Sequence, residues 1–393
     1  MTLEDQIYHD LRKHLDSQAV GFPKTRSKVE IRLLKHIFTP EQARIAACLN
    51  YKPEPLETVY ERARGLVKTP EQLSRILNDI EQKGGIESYL KNGHRVYCNA
   101  PLVVGMYEFQ LHRLTPEFIH DFDRYTADLN FGLEFLGTAL PQMRTIPIRK
   151  SVPIHSHTHT FDEVFSLLDG ADGQFAIVEC ICRKKKRQLG SPCQVTGRTE
   201  TCMALGDFAA AAARNHMGRL ISHDEAISIL EKNQQEGMIF QPSNTQQADF
   251  ICSCCGCCCG MLRMHKSIPK PVDFWASNYF AAMNSEQCSG CGKCAEKCQV
   301  DAIVVKNPSG KPSEKQVSID LNRCLGCGVC VAVCPARAMS LTRKPIDTLP
   351  PATREDLLDT LMAERKGLAG KLRLTGKLIW DALSTNQSHL LKR

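Results

Sequence analysis

Apolar residues recur at helical spacing at the start of the chain, at Leu3, Ile7, Leu11 and Leu15, and predict a helical N-terminal segment over 1–36. Thr39-Pro40-Glu41 and Thr69-Pro70-Glu71 each place a threonine cap before a proline and an acid, so each predicts a helix start. Residues 56–66 predict a helix between them, and the one begun at Thr69 runs to Lys83-Gly84-Gly85. Two short β-type runs follow, 86–90 and 95–99, joined through Asn92-Gly93, a strong hairpin signal. A further helix is expected over 116–129 in a connector spanning 114–150, where Pro141 and Pro147 mark an extended stretch. Residues 175–181 read as a buried strand, and alternation along it puts Cys180 and Cys182 on one face. Helices are expected over 205–215 and over 222–235, the latter opening on Ser222 with Glu225 three residues on.

Towards the C-terminus, 343–351 is a proline-bearing linker, and 353–362 is expected to be helical with Thr353 as its cap. Residues 366–383 then place Leu368, Leu372, Ile379 and Leu383 near one face, with Lys371, Arg373 and Lys377 elsewhere. The stretch 345–393 therefore reads as a linker and a basic amphipathic helical tail. Docking of this helix on its own protein is the plain reading; peripheral contact with a membrane surface or a partner is the other.

Three helices and a hairpin over 37–113 resemble a winged helix, which implies DNA binding or protein docking. The third helix carries Glu71, Asp79 and Glu81 against Arg75 and Lys83. A recognition helix sets basic and amide groups against phosphates and base edges, so this acidic one weighs against nucleic acid and favours protein contact.

Composition alters the picture mainly through cysteine. The chain holds 20 cysteines in 393 residues, with no export signal at the N-terminus and no apolar run long enough for a membrane span. That usage implies thiolate metal ligands in a reducing cytoplasm rather than a disulfide framework. Net charge is +7, too small an imbalance to imply a global nucleic-acid role. Arg183–Arg187 is a local basic run, readable as a solvated loop or as a docking patch for an acidic redox partner. Cys48 and Cys98 read as core packing. His155, His157 and His159 alternate as metal ligands on a strand would, but the whole run is polar and a linker explains it as well.

The segment 151–270 is expected to be a cysteine-rich α/β unit. It contains Cys180, Cys182, Cys193 and Cys202, then Cys252, Cys254, Cys255, Cys257, Cys258 and Cys259. Six thiols in eight residues oxidise or scavenge metal unless they are ligands. The favoured reading is that the last six, with some of the first four, ligate one or two additional iron–sulfur clusters, with a zinc or copper thiolate site as the competitor. Which of the ten take part is left open by the spacing.

Downstream, C-S-G-C-G-K-C-A-E-K-C at Cys288–Cys298 is followed by C-L-G-C-G-V-C-V-A-V-C-P at Cys324–Pro335. Both halves have the spacing C-x2-C-x2-C-x3-C, and a β-type run follows each, at 302–306 and 338–342. Gln299 stands where the second half has Pro335. This repeat, over 284–344, resembles the bacterial-type two-cluster ferredoxin. The resemblance implies two 4Fe–4S clusters, one held by Cys288, Cys291, Cys294 and Cys334, the other by Cys324, Cys327, Cys330 and Cys298. Paired zinc sites compete poorly, since structural zinc takes two separated C-x2-C pairs. The wider arrangement of a C-x-C-R stretch, a C-C-G-C-C run and a ferredoxin resembles parts of larger multi-cluster proteins of anaerobic bacteria. An anaerobic host is expected, because exposed cubanes are oxygen-labile.

The expected fold is α+β: an N-terminal winged-helix-like unit, a central cysteine-rich α/β unit, and a C-terminal two-cluster ferredoxin fold with a helical tail. No glycine-rich nucleotide motif occurs, and no hydrolytic triad or carboxylate pair stands out. The expected function is an iron–sulfur electron-transfer protein with redox protein partners, as carrier or as subunit of an anaerobic redox complex. Two alternatives are an oxidoreductase with an active-site cluster at Cys252–Cys259 and a winged-helix redox sensor.

Overall fold

The computed structural model describes residues 2–91, 93–138, 140–151, 160–306 and 316–392, so His155, His157 and His159 lie outside the described residues. The chain divides into two compact units. One contains residues 1–139, 207–219 and 355–374; the other contains 140–206, 220–354 and 375–393.

In the first unit the N-terminal segment is two helices, Leu3–Asp16 and Val29–Ile37. The inward face of the first is Tyr8, Leu11 and Leu15, and Leu3 is exposed, so the apolar repeat begins one turn later than its spacing implies. Threonine caps form as expected: Thr39 accepts from the Gln42 N–H ahead of Pro40–Ala46, and Thr69 from the Gln72 N–H ahead of Pro70–Gln82. The helix between them is Leu56–Ala63. The hairpin pairs Ile86–Lys91 with His94–Asn99, and Glu54–Pro55 adds a third short strand beside the latter. Leu73, Leu77 and Ile80 of the acidic helix are buried. Glu81 is buried as well, where it accepts from Arg95, Arg214 and Asn215, so this acid is internal and not a solvated charge.

The connector 114–150 is not one element. Its helices, Pro116–Thr126 and Leu129–Leu136, belong to the first unit, whereas residues 140–148 run extended in the second and end in a 3-10 turn at Arg149–Ser151. There the Ile146 N–H donates to Phe240 O at 3.2 Å and the Ile148 N–H to Cys327 O at 3.0 Å.

The second unit is built on a five-stranded sheet, ordered 218–221, 175–179, 200–205, 250–254, 239–242. The pairings of Phe175–Glu179 with Glu200–Leu205, of Glu200–Leu205 with Phe250–Cys254, and of Phe250–Cys254 with Ile239–Pro242 are antiparallel. This corrects the α/β expectation for the cysteine-rich unit: the sheet is of the α+β kind, because each crossing returns the chain beside its neighbour in the opposite sense. Phe175, Met203, Leu205, Leu230, Phe240 and Ile251 fill its core.

The strand expected over 175–181 ends at Glu179. Cys180 caps the helix Ile181–Gln188, so Cys180 and Cys182 do not share a strand face. The basic run is correspondingly not a solvated loop. Arg183 and Lys185 are buried on that helix.

The tail forms the helices Arg354–Ala363 and Leu368–Ser384. Leu368, Leu372, Ile379 and Leu383, read as a docking face, are exposed together with Trp380, whereas Leu374 and Ala382 are buried. No helix among the described residues is long and apolar enough to cross a membrane.

Candidate metal centres

The two cysteine halves fold as matching pieces. Gly292 and Gly328, with φ of 78° and 77°, start the short helices Lys293–Lys297 and Val329–Ala332. Only glycine adopts that left-handed turn without strain, and it brings the third cysteine of each half, Cys294 and Cys330, into the first helical turn. The N–H groups of Ala302 and Ala338 each donate to the fourth cysteine of their half, Cys298 and Cys334, at 3.3 Å. The Ala281 N–H donates to Cys324 Sγ, also at 3.3 Å. Strand Ile303–Lys306 pairs with Gln316–Ile319 and Met339–Arg343 with Tyr279–Met283, both antiparallel. The β-type runs after each half are thus strands, but their partners lie outside the cysteine motifs and were not apparent from the repeat.

Cys298 lies close to the other half. Burial raises the Cys298 thiol, and the neighbouring Cys324 adds to it. Burial pushes Cys327 up to about 12, with Cys298 and Cys324 acting in the same direction. Cys330 is raised by burial and by Cys327, Cys324, Cys298 and Cys294. The fourth cysteine of the first half therefore faces the first three of the second.

Residues 287–338 match the family described as 4Fe-4S dicluster domain. They form a ferredoxin-type iron–sulfur module. The module is a small part of the chain, and comparison of the chain with curated proteins and with solved structures gave no match.

The ten cysteines between residues 180 and 259 separate into a six and a four. Cys202 sits on Glu200–Leu205, Cys252 and Cys254 on Phe250–Cys254, and Cys259 caps the helix Gly260–Lys266. With Cys180 and Cys182, these gather at one end of the sheet as a closed ring of neighbouring sulfurs, in the order 180, 182, 259, 254, 252, 202. Cys182 and Cys202 lower the Cys180 thiol, Cys202 and Cys254 hold Cys252 down at about 6, and Cys182 and Cys254 lower Cys259. Cys182, Cys202 and Cys254 are raised by the same contacts.

The four are Cys193, from the loop after Ile181–Gln188, and Cys255, Cys257 and Cys258, from the turn between strand Phe250–Cys254 and helix Gly260–Lys266. Their ligand atoms all lie within 4.8 Å of one another. A hydrogen bond from Cys258, and then the Arg183 guanidinium, hold Cys255 down at about 6.

Arg183 stands between the two groups. It donates to Thr201 Oγ1, to Ser253 O at 2.9 Å and to Cys255 Sγ at 3.7 Å. Burial works against its charge, but the Cys180, Cys255 and Cys202 sulfurs outweigh burial and keep the guanidinium protonated. Asn233 braces the same spot, donating to Thr201 O at 3.0 Å and Ser253 Oγ at 2.8 Å. A buried cation whose neighbours are thiolates belongs to a site built to hold negative sulfur. Cys98 is buried core, and Cys48 donates within the first unit to Arg44 O and Arg62 O. A ferredoxin-type module beside cysteine groups of this density supports an iron–sulfur electron-transfer protein.

Gln299 is the functional residue that the motif concealed. Its Oε1 accepts from the Gly256 N–H at 2.8 Å and its Nε2 donates to Gly237 O at 3.1 Å. It thereby ties Cys298 to the turn that carries Cys255 and Cys257. The only sequence signal was the missing proline.

Proposed function

We propose that the chain carries single electrons through two 4Fe–4S clusters in the ferredoxin module and through one further polynuclear cluster in the ring of six cysteines. The observation that carries this reading is the position of Cys298 against Cys324 and Cys327, which supports ligation crossed between the halves. Cys288, Cys291, Cys294 and Cys334 would hold one cluster and Cys324, Cys327, Cys330 and Cys298 the other. The backbone N–H groups of Ala281, Ala302 and Ala338 on ligand sulfurs stabilise negative sulfur and so raise the potential. Redox proteins are the partners such a carrier needs, and the ring extends the path from the module into the sheet.

Anaerobic reduction followed by electron paramagnetic resonance tests the crossing. Cys298→Ser should perturb the signal of the same module cluster as Cys327→Ser, and Cys334→Ser that of the same cluster as Cys291→Ser. If Cys298→Ser instead perturbs the cluster changed by Cys291→Ser, the crossed assignment is wrong.

The ring favours a second reading, because six thiols are two more than one cubane takes. A redox-active pair among Cys252, Cys254 and Cys259 would make the chain an oxidoreductase fed by the module. Thiol alkylation of the reduced, metal-loaded chain distinguishes the two: a modified ring cysteine favours the oxidoreductase, and full protection favours the carrier.

A further inference from the structure

Among the described residues, the four-cysteine group is the set whose ligand atoms all converge within 4.8 Å of one another. Cys193 Sγ lies 3.6 Å from Cys255 Sγ and 3.8 Å from Cys257 Sγ; Cys257 Sγ lies 3.5 Å from Cys255 Sγ and 3.6 Å from Cys258 Sγ. Four sulfurs arranged tetrahedrally around one ion at a zinc–sulfur distance of about 2.3 Å are separated by about 3.8 Å. A four-iron cube puts a metal and its sulfides between each pair of thiolates and must hold them further apart. The ferredoxin cysteines supply the comparison within the same molecule: among the described residues, no other set of three or more histidine, cysteine or acidic ligand atoms converges within 4.8 Å.

The surroundings fit a closed structural site. The Val195 N–H donates to Cys193 Sγ at 3.4 Å, and Arg183 donates to Cys255 Sγ. Both place positive dipole or charge on sulfurs that would share a net charge of −2 around a divalent ion. Cys255 and Cys258 are buried. Backbone bonds from Cys258 and Cys259 back to Cys255 O, at 3.3 and 3.0 Å, fold the turn so that three of the ligands point at one place. Cys193 comes from a loop more than sixty residues earlier in sequence and closes the fourth side. Thiolate sets of this kind select zinc over harder ions, and four protein ligands leave no open position for substrate.

We infer that Cys193, Cys255, Cys257 and Cys258 form a mononuclear zinc site that pins the 189–199 loop to the cysteine turn, separate from any iron–sulfur cluster. This assigns to zinc four of the ten cysteines whose division between ligand sets the spacing left open. It stands apart from the electron-transfer reading, since zinc carries no electrons.

The test is metal analysis and zinc-edge X-ray absorption on the full chain purified anaerobically. The site predicts one zinc per chain with a shell of four sulfurs at about 2.3 Å and no iron neighbour. Cys257→Ser, at one of the less buried ligands, should remove at least half of the zinc and leave iron and acid-labile sulfide unchanged. Wild-type absorption needs no variant, so a poorly folding substitution does not decide the outcome. Absence of zinc from the wild type, or loss of iron and sulfide from Cys257→Ser with zinc retained, overturns the site. A low iron count with zinc present would instead count against the proposed clusters.

Discussion

The Gly256 N–H donates to the Gln299 side-chain oxygen at 2.8 Å, a contact made where the second cysteine half has a proline. Gly256 is flanked by two cysteines of the four-thiol group, and Gln299 follows Cys298 of the ferredoxin module. A Cβ on Gly256 would collide with the Gln299 carbonyl, so glycine is required by close approach and not by its dihedral angle. The contact makes the ferredoxin module and the cysteine turn one mechanical piece, as electron transfer between fixed sites requires.

Gln299→Ala removes two hydrogen bonds and should lower stability by about 1–3 kcal/mol. Gly256→Ala should cost a similar amount through overpacking, about 1–3 kcal/mol. Because both act on one contact, the double variant should lose less than the sum. Thermal unfolding of the four proteins checks this. Additive losses would mean that the two residues are not coupled.

Arg183 is expected to be required for the metal content of its own sheet and not for that of the ferredoxin module. Arg183→Leu leaves the thiolates around Cys255 and Cys180 without their cation, a loss of the order of 3–5 kcal/mol for a broken buried pairing. Iron and zinc bound outside the module should fall, while the module's paramagnetic signals persist. Unchanged metal content would show that the guanidinium only packs.

His265 gives a pH dependence with a defined sign. It is fully buried against Trp275, and burial, with Arg323 and Lys266 nearby, holds its pKa down at about 3. The unfolded chain, with its histidine near 6.5, binds a proton that the folded chain refuses between about pH 6.5 and pH 3. Stability is therefore fully present above 6.5 and falls as pH drops through the window, by about 1.4 kcal/mol per unit. His265→Gln should flatten the difference between unfolding midpoints measured at pH 7.5 and pH 5.5. An equal slope in the variant would assign the acid sensitivity to other groups.

The first unit is not expected to bind DNA. Glu81 takes Arg95 of the hairpin and Arg214 as partners, and Lys83 donates to Gln42 at 3.0 Å, so these three basic groups beside the acidic helix are already engaged. A mobility-shift titration with duplex DNA at low salt should show no salt-dependent complex. A shift that weakens steeply with added salt would restore the regulator reading.

The ferredoxin module was legible because its motif is local: four cysteines within eleven residues fix a loop and a helical turn, and the spacing states both. The helix caps at Thr39, Thr69 and Ser222 were legible for the same reason. The division of the ten cysteines between residues 180 and 259 was not, because it depends on which strand ends meet. Cys180 and Cys182 looked like strand neighbours until the chain turned into a helix at Ile181, a turn that the β-branched run before it masks. The apolar stripe at Leu368 and Leu372 was plain, but periodicity gives a face and not its direction, and that face is exposed. Gln299 was visible as a departure from the repeat; its partners, Gly237 and Gly256, lie about forty to sixty residues away and are supplied only by the fold.

Iron and acid-labile sulfide per chain, measured on anaerobically purified protein, bear most directly on the proposed electron path. Two module clusters and one in the ring require more than eight irons, about twelve for three cubanes, with matching sulfide. A count that stops at eight contradicts the ring cluster, and iron near zero contradicts the whole account.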